Sequence, residues 1–168
     1  GVYSWWSYRF KAREYDNDEH TGLEWQYLHR GRLALGYTGR QWQSRSQLDL
    51  TYSRQSASSM GYMATQGLTW QRRSFRVDAI AGYFHTDDYA SRVYVYERGM
   101  MYQFSFPAFY GEGLRGAIVA LADVNSRYRI IAKVGTTYYF DRQTIGSGLQ
   151  QIDHNSQTDL ELQLRLKL

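Results

Sequence analysis

The chain has no cysteine, which excludes a disulfide framework and any thiolate metal site. A single proline and 15 glycines in 168 residues exclude a low-complexity sequence. No long hydrophobic run is present. The longest purely apolar stretch, Ala117 to Ala122, falls far short of the roughly 20 residues of a transmembrane helix. Charge of one sign is also lacking: 20 basic against 16 acidic residues leave +4, with both signs interspersed, a balance that says little about partners. No signal peptide precedes the first strand-like pattern, which starts almost at Gly1; this predicts either a mature chain or a piece of a longer one.

Aromatic residues, by contrast, are abundant at 17 %, led by 16 tyrosines, although the mean hydropathy is −0.61. The two facts are reconciled by alternation of apolar and polar residues with period 2, the signature of strands with one greasy face. Trp6, Tyr8 and Phe10 alternate with Arg9 and Lys11. Leu33, Leu35 and Tyr37 alternate with Arg30 and Arg32 earlier on the same strand. Phe75, Val77, Ala79, Ala81 and Tyr83 alternate with Arg76 and Asp78. A sixth strand is expected to carry Tyr94, Tyr96, Met100, Tyr102, Phe104 and Phe106 on its apolar face, and the terminal LELQLRLKL places Leu160, Leu162, Leu164, Leu166 and Leu168 on one side. The pattern predicts an all-β fold of about nine strands joined as successive antiparallel hairpins, in one domain over residues 1–168.

Closure into an up-and-down barrel removes the exposed edges of such a meander. A soluble barrel would turn the greasy face inward to hold an apolar small ligand. A membrane barrel turns it outward to lipid and lines the interior with polar groups. The second closure is the expectation here. So many tryptophans, tyrosines and leucines would overfill the interior of a small barrel. Aromatics also sit at strand ends around small or aliphatic middles, as in Tyr128-Ile130-Ala132-Val134-Thr136-Tyr138; such rings prefer the membrane–water interface. An outer-membrane location of the bacterial type follows. Nine strands would put the two termini at opposite ends, whereas single-chain bacterial barrels have even strand numbers. That parity predicts a C-terminal piece lacking N-terminal strands of a larger barrel.

Two segments, FHTDDYASRVYVYERGMMYQFSFPAFYGEGLRG (Phe84 to Gly116) and TIGSGLQQI (Thr144 to Ile152), together with LELQLRLKL, carry a family likeness. They resemble the C-terminal barrel region of large Bacteroidetes outer-membrane proteins labelled helix-hairpin-helix or competence-protein-like (ComEA-like). The resemblance covers about the second half of the chain. It implies a signal peptide and helix-hairpin-helix repeats ahead of the barrel in the intact protein. Nothing in this chain matches those repeats, so no nucleic-acid role carries over to it.

The candidate functional residues are the charges on the polar side of the strands: Arg9, Arg13, Glu24, Arg30, Arg32, Arg45, Asp49, Arg76, Asp78, Glu97, Arg115, Asp123, Arg129, Lys133 and Arg165, with Arg127 and Glu161 beside them. Such a lining would either select anionic solutes or simply brace the interior. Both signs are present, which favours the second role. On the apolar side Arg98, Gln66, Ser44 and Ser46 are out of place. Arg98 is the candidate contact for a protein partner in the membrane. A lipid-facing Ser/His pair would make a hydrolase, but a two-residue hairpin at Gly39-Arg40 sets Leu35 against Ser44, Leu33 against Ser46 and His29 against Leu50. Four residues at about 3.4 Å each put His29 too far from Ser46 for a nucleophile and its base. Asp87 and Asp88 read as turn formers, and TIGSGL lacks the lysine of a phosphate loop. The expectation is therefore a non-enzymatic protein without metal or cofactor, serving passage or docking of solutes or macromolecules at the outer membrane, with membrane lipid as its surroundings.

Overall fold

The computed structural model describes residues 1–16, 23–98, 106–146, 149 and 151–166. Met100, Tyr102, Phe104 and Leu168, to which the sequence assigned strand positions, lie outside them. The alternating segments form β1 (Val2–Asp16), β2 (Leu23–Thr38), β3 (Trp42–Arg54), β4 (Ser58–Arg72), β5 (Phe75–Thr86), β8 (Glu112–Asp123), β9 (Tyr128–Tyr139) and β10 (Ser156–Leu166). Two short strands, β6 (Val93–Tyr94) and β7 (Ala108–Phe109), pair with each other between β5 and β8. The long strands make one antiparallel sheet in the order β1-β2-β3-β4-β5-β8-β9-β10. Every hydrogen-bonded neighbour is the next long strand in the chain. The described residues contain no α-helix.

The up-and-down antiparallel order is as expected. Two expectations need correction, and a third is met in part. First, the sheet has eight strands, not nine. Residues 93–98, in the segment expected as the sixth strand, alternate because their two sides meet unlike surroundings. Val93, Val95 and Glu97 are buried, whereas Tyr94 is half-buried and Tyr96 exposed. Alternation records two environments, not membership of a sheet. Second, the expected barrel is met as far as this one antiparallel sheet, in which the described residues include no pairing between β1 and β10. Edge-to-edge pairing leaves no mark in the alternation of either strand, so no pattern could have signalled it. Third, eight strands return the end of β10 to the same side as Gly1, so the parity argument for missing strands loses its premise.

The connections are unequal. At the end where Gly1 is tied to Thr38 by two backbone hydrogen bonds of 2.7–2.8 Å, the links are short: 39–41, 73–74 and 124–127. The opposite end carries 17–22, 55–57, the long 87–111 excursion containing β6 and β7, and 140–155.

That excursion folds back onto the polar face of the sheet. Val93, Val95 and Phe109 meet Met63 of β4, Phe84 of β5 and Tyr139 of β9 in the main buried cluster, with Ile80 and Ile145 against its rim. Phe84 and Met63 are fully buried, and each such side chain contributes about 1.5–3 kcal/mol. The Phe84 ring packs on Phe109 at 5.0 Å and edge-on to Tyr139 at 5.6 Å. Gly61 makes this approach feasible, since a Cβ there would lie 2.3 Å from the Ser91 carbonyl oxygen. The other face has no such cover. Trp6, Leu33, Leu35, Leu162 and Leu164 are all more than half exposed.

Candidate functional site

Period-2 geometry puts successive side chains on opposite faces, and the antiparallel registers align the charged rows of neighbouring strands. Arg9 lies across from Arg30, Arg32 across from Asp49, Arg76 across from Leu121 and Arg129 across from Asp123. All the long-strand charges expected on the polar side share that face. Glu97 reaches it from the excursion. Arg127 is in the turn after β8, outside the strands.

The centre of the network is Glu97, only 1 % exposed. Its carboxylate accepts two bonds from Arg115, Nε at 2.6 Å and Nη2 at 2.9 Å. Lys133 Nζ stands 3.4 Å from the same carboxylate and 3.4 Å from Glu161. Arg115 also donates Nη1 to Thr137 Oγ1 at 3.1 Å and lies 3.6 Å from Asp159. Gly135 leaves room for this guanidinium, because a Cβ there would sit 2.4 Å from Arg115 Nη2. One buried glutamate thus ties the excursion to β8 and β9, and through Lys133 and Arg115 to β10.

Asp78 is a second node. It accepts Arg76 Nη2 at 2.9 Å and Nε at 2.8 Å, and Thr69 Oγ1 at 2.6 Å. Arg98 Nε lies 3.2 Å from it. Arg98 is therefore on the polar face. Its assignment to the apolar side, and as a partner contact there, is overturned by this ion pair; the error follows from continuing strand parity into a segment that had left the sheet. Elsewhere Arg32 and Gln47 both hold Asp49, and Arg129 chelates Asp123 at 2.5 and 2.9 Å. Arg13 donates to the buried Gln26 at 2.6 Å, which donates to Ser53 at 2.9 Å. Arg45 stacks over Trp5 at 5.9 Å. Glu24 and Arg165, on the same face, also take part in interactions.

The apolar face resolves its own polar residues. Ser46 Oγ donates to Gln66 Oε1 at 2.6 Å, and Gln66 Nε2 donates to Ser44 Oγ at 2.9 Å. The three satisfy one another within one patch. His29 Nδ1 lies 2.6 Å from the Tyr8 hydroxyl and opposite Tyr52, while Ser46 pairs with Leu35. The β2–β3 register is thus two residues from the expected one. Gly39 N bonds Trp42 O at 2.8 Å, closing a longer turn over 39–41. A slip of two keeps every side chain on its face, so alternation cannot detect it. Six residues of β3, roughly 20 Å, now separate Ser46 from the rung of His29.

Outside the sheet, Asp87 and Asp88 each cap backbone rather than share a site. Asp87 accepts Met60 N at 2.8 Å, and Asp88 accepts Ala90 N at 2.8 Å and Ser91 N at 3.1 Å. Among the described residues no three or more His, Asp or Glu side chains are grouped to hold a metal ion. Arg142 Nη2 donates to Tyr110 O at 3.0 Å and to Asp141 Oδ2 at 2.8 Å. Burial opposes ionisation of Asp141, but the hydrogen bonds and charge of Arg142 outweigh it, so this carboxyl titrates below its ordinary range. These two side chains press on Gly111, whose φ of +85° suits glycine.

Sequence reasoning did not find the role of Tyr94. It lies between two guanidiniums, Arg30 at 4.9 Å from its ring and Arg92 donating Nε to its hydroxyl at 2.7 Å. The alternating R-V-Y-V-Y-E run contained the residues, but not their side of the sheet.

No protein-family model, no curated protein and no solved structure matches the chain.

Proposed function

We propose that the sheet is the wall of a bacterial outer-membrane β-barrel, with lipid against its apolar face and solutes or macromolecules passing or docking along its polar face, without catalysis. One observation carries the reading. The ionisable residues Glu97, Arg115 and Lys133 are buried on one side, while tryptophans, tyrosines and leucines are exposed on the other. A protein in water has the reverse preference, and a continuous apolar surface of this extent calls for a non-aqueous partner.

Three further features support it. The apolar face has two aromatic rows. Trp42, Trp70 and Phe75 touch in series near the short turns, at 6.2 and 5.7 Å. Tyr62 meets Tyr83 at 6.0 Å, and Tyr138 meets Phe140 at 5.4 Å, near the long loops. Eight residues separate Tyr62 from Trp70 and ten separate Tyr128 from Tyr138. At about 3.4 Å per residue and a tilt of 35–45°, the rows would stand roughly 20–27 Å apart, against an apolar band of about 25 Å. Ser44, Ser46 and Gln66 on this face satisfy each other, as hydrocarbon requires. Short links at the end of the termini and long loops at the other are the usual asymmetry of such barrels.

Closure, whether of β1 on β10 or through additional strands, belongs to the same proposal, as does kinship with the helix-hairpin-helix outer-membrane proteins. The two motif segments behind that kinship meet in one place, since Ile145 packs on the cluster built by Phe84, Val93 and Phe109.

Single-tryptophan variants folded into vesicles of bromine-labelled phosphatidylcholine test the orientation. Trp6 and Trp5 are adjacent in sequence but on opposite faces. Emission from Trp6 should be strongly quenched and emission from Trp5 spared. Equal quenching, or a chain that stays monodisperse in buffer without detergent or lipid, would refute the proposal.

A further inference from the structure

We propose that the polar face holds an oxyanion site built on Arg30, flanked by Arg9 and Arg92 and walled by Tyr94. The inference does not depend on what covers the apolar face.

Arg9 and Arg30 line one cleft with Tyr94, and Arg30 and Arg92 both contact that tyrosine. Arg9 of β1 lies directly across from Arg30 of β2, a like-charge pair that destabilises a sheet unless something lies between the charges. Arg92 approaches from the excursion. It is fixed by its bond to the Tyr94 hydroxyl and by a carbonyl bond to Tyr89 at 3.0 Å. Both Arg9 and Arg92 act on Arg30 as repelling charges.

Among the described residues no carboxylate is shown paired with Arg9, Arg30 or Arg92. The acidic residue lining the cleft is Asp49, and it is already held by Arg32 and Gln47. The sequence between Arg98 and Phe106 contains no Asp or Glu. Stacking on Tyr94 accounts for the plane of the Arg30 guanidinium but not for its Nε–H. That Nε is buried with no hydrogen-bond partner, and no other buried side-chain nitrogen or oxygen among the described residues is left so. An unmet buried donor is destabilising, and donors beside a charged group form the strongest bonds when an acceptor arrives.

The cleft beside these groups has a volume of about 370 Å³ and adds the hydroxyls of Ser7 and Thr51. That is within the range of small-molecule sites and larger than a bare inorganic anion. The ligand class is therefore a small solute with a phosphate or carboxylate group, its anionic end on Arg30 and its body toward the hydroxyls.

Isothermal titration of the folded, monodisperse chain with inorganic phosphate tests this, at pH 7 and low salt, with chloride at equal ionic strength as reference. Saturable phosphate binding should be weakened about tenfold or more by Arg30→Gln. Arg30→Lys, which retains charge without the Nε–H, should fall between the two. Arg45→Gln, on the same face over Trp5, should bind as wild type. If Arg30→Gln does not fold, Arg92→Gln supplies the same comparison and should also weaken binding. Phosphate heats no larger than those of chloride, or equal affinity in wild type and the Arg30 or Arg92 variant, would overturn the site.

Discussion

Glu97→Ala tests how the excursion is held. The carboxylate is 1 % exposed, and its partners Arg115 and Lys133 are 7 % and 5 % exposed, so the substitution strands two buried cations. Removing one partner of a buried ion pair costs about 3–5 kcal/mol, because the remaining charge is left without compensation. Here Glu161 stays 3.4 Å from Lys133 and Asp159 stays 3.6 Å from Arg115. Both are partly exposed and bear part of the charge. The expected loss is therefore near the lower end, about 3 kcal/mol. Urea unfolding followed by tryptophan emission measures it. The loss should be local in origin, because Glu97 alone joins the excursion to β8 and β9 through charge. Trypsin should then cut after Arg92 or Arg98 well before the sheet unfolds. Pairing Glu97→Gln with Lys133→Met should recover part of the loss, and the interaction energy of that cycle isolates the bridge. A Glu97→Ala protein within about 1 kcal/mol of wild type, with no new cleavage between 87 and 111, would refute this account of the excursion.

Three other outcomes are expected. Ile118→Arg, in the middle of the apolar face, should cost about 2–4 kcal/mol in vesicles if lipid lies there; unchanged stability with improved solubility in plain buffer would contradict the membrane reading. Gly61→Ala should push the excursion off β4, because its methyl would meet the Ser91 carbonyl oxygen, for about 1–3 kcal/mol in the unfolding assay. The Asp141 carboxyl is depressed by Arg142, so its contribution is complete above the ordinary carboxylate range and is lost as pH falls through the lower, folded value. Asp141→Asn should accordingly flatten the acid limb of the stability–pH curve while leaving a lower plateau at neutral pH.

Much of this architecture is written in the alternation. Every long strand, and the face taken by each charge on it, follows from period 2, since burial on either side of a sheet needs no partner to be known. What the alternation could not provide depends on a second segment. Glu97 was placed correctly because both an interior strand and a covering loop would bury it. Arg98 was misplaced because parity holds only while the chain stays in the sheet. The β2–β3 register shifted because an even slip moves no side chain across the sheet. The meeting of Arg30 with Tyr94 and Arg92 joins residues more than sixty positions apart, and no spacing rule reaches that far.

The unequal links also bear on how the molecule assembles. Apart from β5 with β8, every long-strand pair with a described link is closed by 55–57, 140–155 or a tight turn. Bridging 87–111 instead of a three-residue turn raises the loop-closure cost by roughly 2 kcal/mol. The seam of β5 with β8 has the longest link of any described long-strand pair, and Val93, Val95 and Phe109 offset part of that cost by sharing one buried cluster with Phe84 of β5 and Tyr139 of β9. The segment that occupies the polar face of the finished protein is thus also the jig on which its two halves are aligned.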